Sequence, residues 1–127
     1  MKKKLIFIIV ASILVVGGAI GGKYLFDLNT YHQEIAGIKI GEINLDTVSD
    51  GSYTGSFDTV WIGAQVEVRI ENNRMIGIEL QHRHDRGAEA EVIPERVLTA
   101  QSLDVDLVSG ASNSSLVILK AIENALE

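Results

Sequence analysis

A short stretch near the end of the chain combines an acid, small residues and a hydroxyl in an order that suits a phosphate. Asp106 leads it, Ser109, Gly110 and Ala111 follow, and Ser112 stands where a helix is predicted to begin. Small residues let the backbone turn tightly and leave the Ser112 hydroxyl at the surface. The start of a helix offers unpaired N–H groups and a partial positive charge, which together bind anions. The pattern predicts that Ser112 carries, or lies beside, a phosphorylated group.

The same stretch also has interpretations that need no ligand. Ser112 or Asn113 can serve as an ordinary N-cap, since small-residue turns precede many helices. A hydrolase nucleophile is not indicated, because the flanking glycines of a nucleophile elbow are missing and no His–Asp partner is implied. Asn113-Ser114-Ser115 matches a glycosylation sequon. We interpret it as a chance match, because the same segment is needed for the predicted phosphate-binding site at the start of the helix.

The stretch Asp106–Ser112 resembles the flavinylation motif of the FMN-binding domain family. That motif reads Asp, two variable residues, Ser or Thr, Gly, Ala, and then Thr or Ser, and all of it is present here. Two further stretches are similar to the family: Asp50–Gly55 looks like its opening strand, and Ala100–Asp106 leads into the motif. The resemblance extends over roughly residues 50 to 126.

This resemblance implies a covalent flavoprotein. The family includes the covalent-flavin subunits of sodium-pumping NADH:quinone reductases and many small membrane-anchored extracytoplasmic proteins. In such proteins a flavin transferase moves FMN from FAD onto the final hydroxyl of the motif, as a phosphoester. We therefore expect covalent FMN on Ser112. The other motif residues expected at the cofactor are Asp106, Ser109, Gly110, Ala111 and Asn113.

Histidines and arginines form a second group of candidate residues. His82 and His84 lie two residues apart with Asp85 next to them, a grouping that can bind a metal. Two histidines without a third firm ligand are weak grounds, so no metal site is predicted. The resemblance instead implies contact between His82 and the flavin edge, since family members often have a His before a glycine-containing loop. Arg83 or Arg86 is a candidate partner for the phosphate.

The beginning of the chain has the pattern of a membrane segment. Lys2–Lys4 precede a run from Leu5 to Gly22 that contains no charged residue. A bilayer span needs about 20 apolar residues, and lysines before the run favour an internal N-terminus with the rest of the chain outside. We predict an uncleaved anchor at residues 1–23; the alternative is a signal peptide cleaved near Ala19-Ile20-Gly21.

The rest of the chain is acidic and free of cysteine. Without Lys2–Lys4 and Lys23, 7 basic residues remain against 17 acidic ones, a net charge of −10. This balance argues against nucleic-acid binding, which requires a basic face. The absence of cysteine excludes a disulfide and a lipoprotein anchor. At 127 residues the chain has room for one domain.

Alternating hydrophobicity predicts an antiparallel sheet. Residues 64–70 alternate apolar and polar side chains, residues 76–80 do so again, and Asn72-Asn73 between them is a hairpin turn. A strand from Tyr53 to Trp61 precedes this hairpin. Tyr53 and Trp61 are assigned to the core in preference to stacking on a flavin.

Two helices are predicted to cover this sheet. After a polar loop from His82 to Gly87, Pro94 suits the first turn of a helix that runs to about Gln101. The last helix begins at Asn113 or Ser114. Its apolar stripe consists of Ile118, Leu119, Ile122, Ala125 and Leu126. The predicted fold class is α+β: a small antiparallel sheet packed with helices, preceded by one N-terminal transmembrane helix.

The expected function is that of a membrane-anchored extracytoplasmic electron carrier. The FMN-binding domain is assigned to residues 49–127, and residues 24–48 form the tether and first element. Outside the cell even a micromolar affinity, about −8 kcal/mol, does not retain FMN against dilution, whereas an ester bond does. The expected partners are a flavin transferase and membrane or extracytoplasmic redox proteins. The alternatives are a non-redox binding or sensory module without flavin, and a flavin reductase, for which no second catalytic group is visible.

Overall fold

The computed structural model describes residues 1–84 and 87–127. Asp85, weighed as a metal ligand, and Arg86, weighed as a phosphate partner, lie outside the described residues. The elements in chain order are α1 (Lys2–Ala36), β1 (Gly51–Asp58), β2 (Gly63–Glu71), β3 (Arg74–Arg83), α2 (Ile93–Ala100) and α3 (Ser112–Leu126), with 3₁₀ turns at Leu45–Thr47 and Ala88–Val92.

The strands form one antiparallel sheet in the order β1-β2-β3. The turn between β2 and β3 contains Asn72 and Asn73, whose φ angles are 52° and 61°. Positive φ at both central residues is the geometry of a two-residue turn that matches strand twist, and asparagine tolerates it. The hairpin predicted from Asn72-Asn73 is confirmed.

The sheet differs from the sequence prediction at two strand ends. β1 ends at Asp58, before Trp61, because Thr59 closes a turn: its N–H donates to the Ile62 carbonyl at 2.7 Å. β3 continues to Arg83 because it stays paired with β2 as far as Gly63, the first residue of β2. His82 therefore lies in a strand, and its assignment to the loop from His82 to Gly87 was wrong.

The core lies on one face of the sheet, beneath α2 and α3. On β2, Ala64, Val66, Val68 and Ile70 are buried while the residues between them are exposed. From the helices, the buried apolar side chains are Ile93, Val97, Val117, Ile118, Leu119, Ala121, Ile122 and Ala125. The α+β fold with helices packed on a small antiparallel sheet is confirmed.

Close contact between α3 and β1 fixes the position of the last helix. A Cβ atom on Gly55 would overlap backbone atoms of Ala121 and Ala125, so only glycine lets the helix approach this strand so closely. Because α3 is fixed at this point, its first residue, Ser112, also has a defined position relative to the sheet.

The first helix is longer than expected. α1 runs without a break from Lys2 through the predicted anchor boundary at residue 23 to Ala36. It is long and apolar enough to cross a membrane, as judged by length and composition, and its anchor residues are almost all exposed. Near its end the helix contacts the domain, where Tyr31 is buried.

Candidate functional site

Ser112 is the first residue of α3, one residue earlier than the predicted start. Ala111 precedes it in the N-cap position and has no side chain that can cap the helix. The first N–H groups of a helix have no intrahelical partner, so those of Ser112, Asn113 and Ser114 stay available to an anion. Ser112 and Asn113 are exposed, which leaves the Ser112 hydroxyl accessible.

The turn before α3 is shaped by a glycine and by a serine that the sequence analysis gave no role. Gly110 has a φ of 82°, a conformation that favours glycine. The fully buried hydroxyl of Ser115 donates to the Ala111 carbonyl at 2.8 Å and accepts from the Val108 N–H at 3.1 Å. Ser115 thus fixes the turn that presents Ser112. Sequence alone offers only the one-turn spacing of Ser115 from Ala111 as a signal.

A cavity of about 420 Å³ opens at the start of α3. This volume falls in the range of small-molecule sites, about 300–1,000 Å³. Its lining residues are Tyr31, Trp61, Ile62, Gly87 and Gly110 to Ser114. The cavity is therefore lined both by the aromatic and apolar side chains of Tyr31, Trp61 and Ile62 and by the N-terminal residues of α3.

The aromatic side of this cavity joins α1 to the β1–β2 turn. Trp61 is half-buried and its ring centroid lies 5.0 Å from that of Tyr31 and 5.9 Å from that of Tyr24. The Asn113 amide donates to the Tyr31 hydroxyl at 3.0 Å. Trp61 and Tyr53 both pack against the core as partly buried residues, as predicted. Trp61 also lines the cavity, and the Tyr53 hydroxyl donates to the Ser49 carbonyl at 2.7 Å.

Gly87 forms another part of the wall and has no room for a side chain. A Cβ atom there would overlap the Ser114 hydroxyl and lie 3.3 Å from Cε1 of His82. His82 itself does not line the cavity.

Asp106 and Ser109 lie apart from Ser112. Both line a separate groove beside α2, together with Arg96. The Arg96 guanidinium donates to the Asp106 backbone carbonyl at 2.9 Å, so it positions the backbone of the motif. The motif is thus divided: Gly110, Ala111, Ser112 and Asn113 border the cavity, and its leading acid does not.

The side chains of His82 and Arg83, near the end of β3, do not line the cavity. Arg83 donates to the Thr59 carbonyl at 3.0 Å. The His82 side chain is 1 % exposed, and neither ring nitrogen has a hydrogen-bond partner among the described residues. Burial lowers the pKa of His82 and the neighbouring His84 lowers it further, while Glu91 opposes both effects. The pKa of His82 therefore lies below its ordinary value.

Comparison with known proteins bears on the whole domain. The family model described as "FMN-binding domain" matches residues 18–127, which include the sheet, α2, α3 and the second half of α1. Among solved structures, the chain is similar to the CPE2226 protein from Clostridium perfringens, with 16% sequence identity and a TM-score of 0.48. That similarity covers 62% of this chain and 89% of the other. No curated protein matches the chain.

Proposed function

Since this chain belongs to the FMN-binding domain family, we propose that it is a membrane-anchored extracytoplasmic electron carrier that holds FMN covalently on Ser112. Family membership supports FMN as the cofactor. The observation that carries the finer assignment is the exposed Ser112 hydroxyl at an uncapped helix start, inside a cavity with aromatic walls.

The residues of the cavity fit the two chemically different parts of FMN. The phosphate matches the start of α3, where unpaired N–H groups and the helix dipole stabilise negative charge. Tyr31, Trp61 and Ile62 supply flat and apolar surface for a ring system. The cavity volume of about 420 Å³ is of the size that cofactor sites have.

Attachment requires a reachable hydroxyl on this chain. The Ser112 oxygen bonds to the FMN phosphorus of FAD, its proton is lost, and AMP leaves from the cleaved pyrophosphate. The transferase supplies the catalysis, and this chain supplies the turn that Gly110 and Ser115 shape. When bound, FMN supplies reversible electron transfer, while the protein orients it and sets its surroundings. The chain is on this account a substrate of the transferase and a carrier.

The position of Asp106 supports a role in recognition by the transferase. Asp106 is exposed and lines the groove beside α2, away from the cavity. A carboxylate there would not contact the bound flavin, but it is accessible to another protein. Arg96 holds the backbone at this point through the Asp106 carbonyl.

The position of the cavity near the anchor supports electron exchange with a membrane partner. Tyr24 at the predicted end of the span contacts Trp61, a cavity residue. From Lys23 to Tyr31 the helix rises about 12 Å at about 1.5 Å per residue. The lysines at the N-terminus support an orientation with the cavity outside the cell.

Co-expression tests this proposal. The full chain is produced with and without a flavin transferase of this type, purified from membranes and run on a denaturing gel. We expect flavin fluorescence at the mass of the chain only with the transferase, because only a covalent flavin survives denaturation. A chain that never fluoresces would instead support the non-redox binding or sensory module.

A further inference from the structure

Two histidines and a glutamate meet on the sheet side of the 3₁₀ turn before α2. His82 lies next to the last residue of β3, and His84 is the first residue beyond that strand. Their rings are close, with centroids 4.6 Å apart. Glu91 reaches them from the turn at Ala88–Val92. Its Oε1 atom lies 3.5 Å from Nδ1 of His82 and 3.5 Å from Nε2 of His84. The candidate ligand atoms of all three residues lie within 4.8 Å of one another.

The two distances from Glu91 to the imidazole nitrogens suit a shared ion better than direct hydrogen bonds. Good N–H···O hydrogen bonds span about 2.7–3.2 Å, so both 3.5 Å contacts are long. Bonds of about 2.0–2.2 Å around a tetrahedral ion separate neighbouring ligand atoms by about 3.3–3.6 Å. Both Glu91 Oε1–N distances fall in that range. The two imidazole nitrogens lie within 4.8 Å of each other, so closing around one ion also requires the partly exposed His84 ring to turn toward His82.

The His82 ring provides an independent indication of a ligand. Its side chain is 1 % exposed, and neither nitrogen has a hydrogen-bond partner within the described part of the chain. Buried polar groups are nearly always paired, and one that is not calls for an explanation such as an ion. Nδ1 of this ring is the atom that faces Glu91.

We propose that His82, His84 and Glu91 bind a divalent transition-metal ion of the zinc class through Nδ1, Nε2 and Oε1. Two imidazoles and one carboxylate are donors that zinc accepts, and three protein ligands leave a fourth position open. The site has an entrance, because the side chains of His84 and Glu91 are 26% and 48% exposed.

Metal binding replaces one weak contact. The Gly87 N–H donates to Nδ1 of His84 at 3.3 Å. An ion bound to Nε2 of His84 takes the place of the proton on that nitrogen. The imidazole then carries its proton on Nδ1, after exchange with water, and Nδ1 can no longer accept from the Gly87 N–H. None of the three proposed ligands lines the Ser112 cavity. The metal site is therefore separate from the proposed flavin attachment.

The test is a metal titration on the flavin-free chain. Full-length protein carrying Ser112→Ala, without a polyhistidine tag, is treated with a chelator, dialysed in detergent and titrated calorimetrically with Zn²⁺. We expect one ion per chain, and at least a tenfold weaker affinity in Glu91→Gln and in His84→Gln. Titration with Co²⁺ should give visible absorption bands of a low-coordinate site, which the absence of flavin leaves unobscured.

Two matched variants serve as controls. Glu89→Gln makes the same charge change two residues away at an exposed position, and His32→Gln removes the third histidine of the chain. Both should bind Zn²⁺ as the parent does. The proposal is overturned if the parent binds no stoichiometric ion, or if Glu91→Gln binds within twofold of Glu89→Gln. Glu91 is half exposed, so its variant is expected to fold, and circular dichroism checks this. Neither result depends on flavin attachment.

Discussion

At the scale of single residues, the structure divides the predicted flavinylation motif between two surfaces. Ser112 and its immediate neighbours border the cavity, whereas Asp106 and Ser109 line the groove beside α2. The Asp106 carboxylate, six residues before Ser112, is therefore better placed for recognition by the transferase than for contact with the cofactor. Ser115, outside the motif, contributes by fixing the turn with two hydrogen bonds of its hydroxyl.

Replacing Asp106 tests this division. Asp106→Ala should lower the yield of covalent flavin while the fold stays intact, because the side chain is exposed and its loss costs about 1 kcal/mol or less. In-gel flavin fluorescence after co-expression with the transferase, normalised to protein, measures the yield. Asp104→Ala, also exposed on the same groove, is the matched control and should label fully. Full labelling of Asp106→Ala would remove this residue from the recognition set.

At the scale of elements, the approach of α3 to β1 determines where the acceptor serine lies. Gly55→Ala introduces a methyl group against the backbone of Ala121 and Ala125, and overpacking of this kind costs typically about 1–3 kcal/mol. We expect a lower unfolding temperature and weaker flavin labelling, since displacement of α3 also moves Ser112. Gly77→Ala on β3 is the control, because nothing lies within 4 Å of its Cβ position. Equal stability of the two variants would contradict the packing described here.

The segment after α1 is attached to α3 through a buried carboxylate. Burial acts to raise the pKa of Glu123, but hydrogen bonds from Lys120 at 2.8 Å and from the Gly41 N–H at 2.6 Å outweigh it, so the pKa lies below its ordinary value of 4.5. A lowered folded-state pKa contributes stability that is complete above the unfolded-state pKa and is lost as pH falls through the folded-state pKa.

The corresponding variant should change how stability depends on pH. Glu123→Gln should be less stable than wild type at neutral pH and should lose less stability between pH 4.5 and more acidic values. Thermal unfolding at a series of pH values measures both effects. Glu67→Gln, at an exposed position on β2, is the control and should follow the wild type. Parallel acid profiles for Glu123→Gln and wild type would show that this carboxylate does not contribute.

At the scale of the whole molecule, α1 joins the candidate membrane span to the cavity. It is continuous from Lys2 to Ala36 and supplies Tyr31 to the cavity. We predict that the chain stays with the membrane uncleaved, because the uncharged run that follows Lys4 continues into a helix that the domain uses. Intact-mass analysis of protein from its native membrane should give the full chain. A mass that begins near Gly22 would indicate a cleaved signal peptide.

The local features of the molecule were predictable from sequence. The Asn72-Asn73 hairpin and the apolar stripe of α3 have periods and turn residues that short windows reveal. The residues that complete the cavity and the histidine cluster were not. Asn113 and Tyr31 are 82 positions apart, and Glu91 joins His82 only because the chain folds back after β3. Such pairs depend on tertiary packing, and no local pattern encodes them.

The central claim, covalent FMN on Ser112, is tested most directly by peptide mapping. The wild-type chain and the variants Ser112→Ala, Ser112→Thr and Ser109→Ala are co-expressed with a flavin transferase, digested and analysed by mass spectrometry. We expect the FMN phosphoester on the peptide that contains Ser112 in wild type and Ser109→Ala, on the threonine in Ser112→Thr, and on no peptide in Ser112→Ala. Covalent flavin on Ser112→Ala, or on Ser109, Ser114 or Ser115 in wild type, would contradict the assignment.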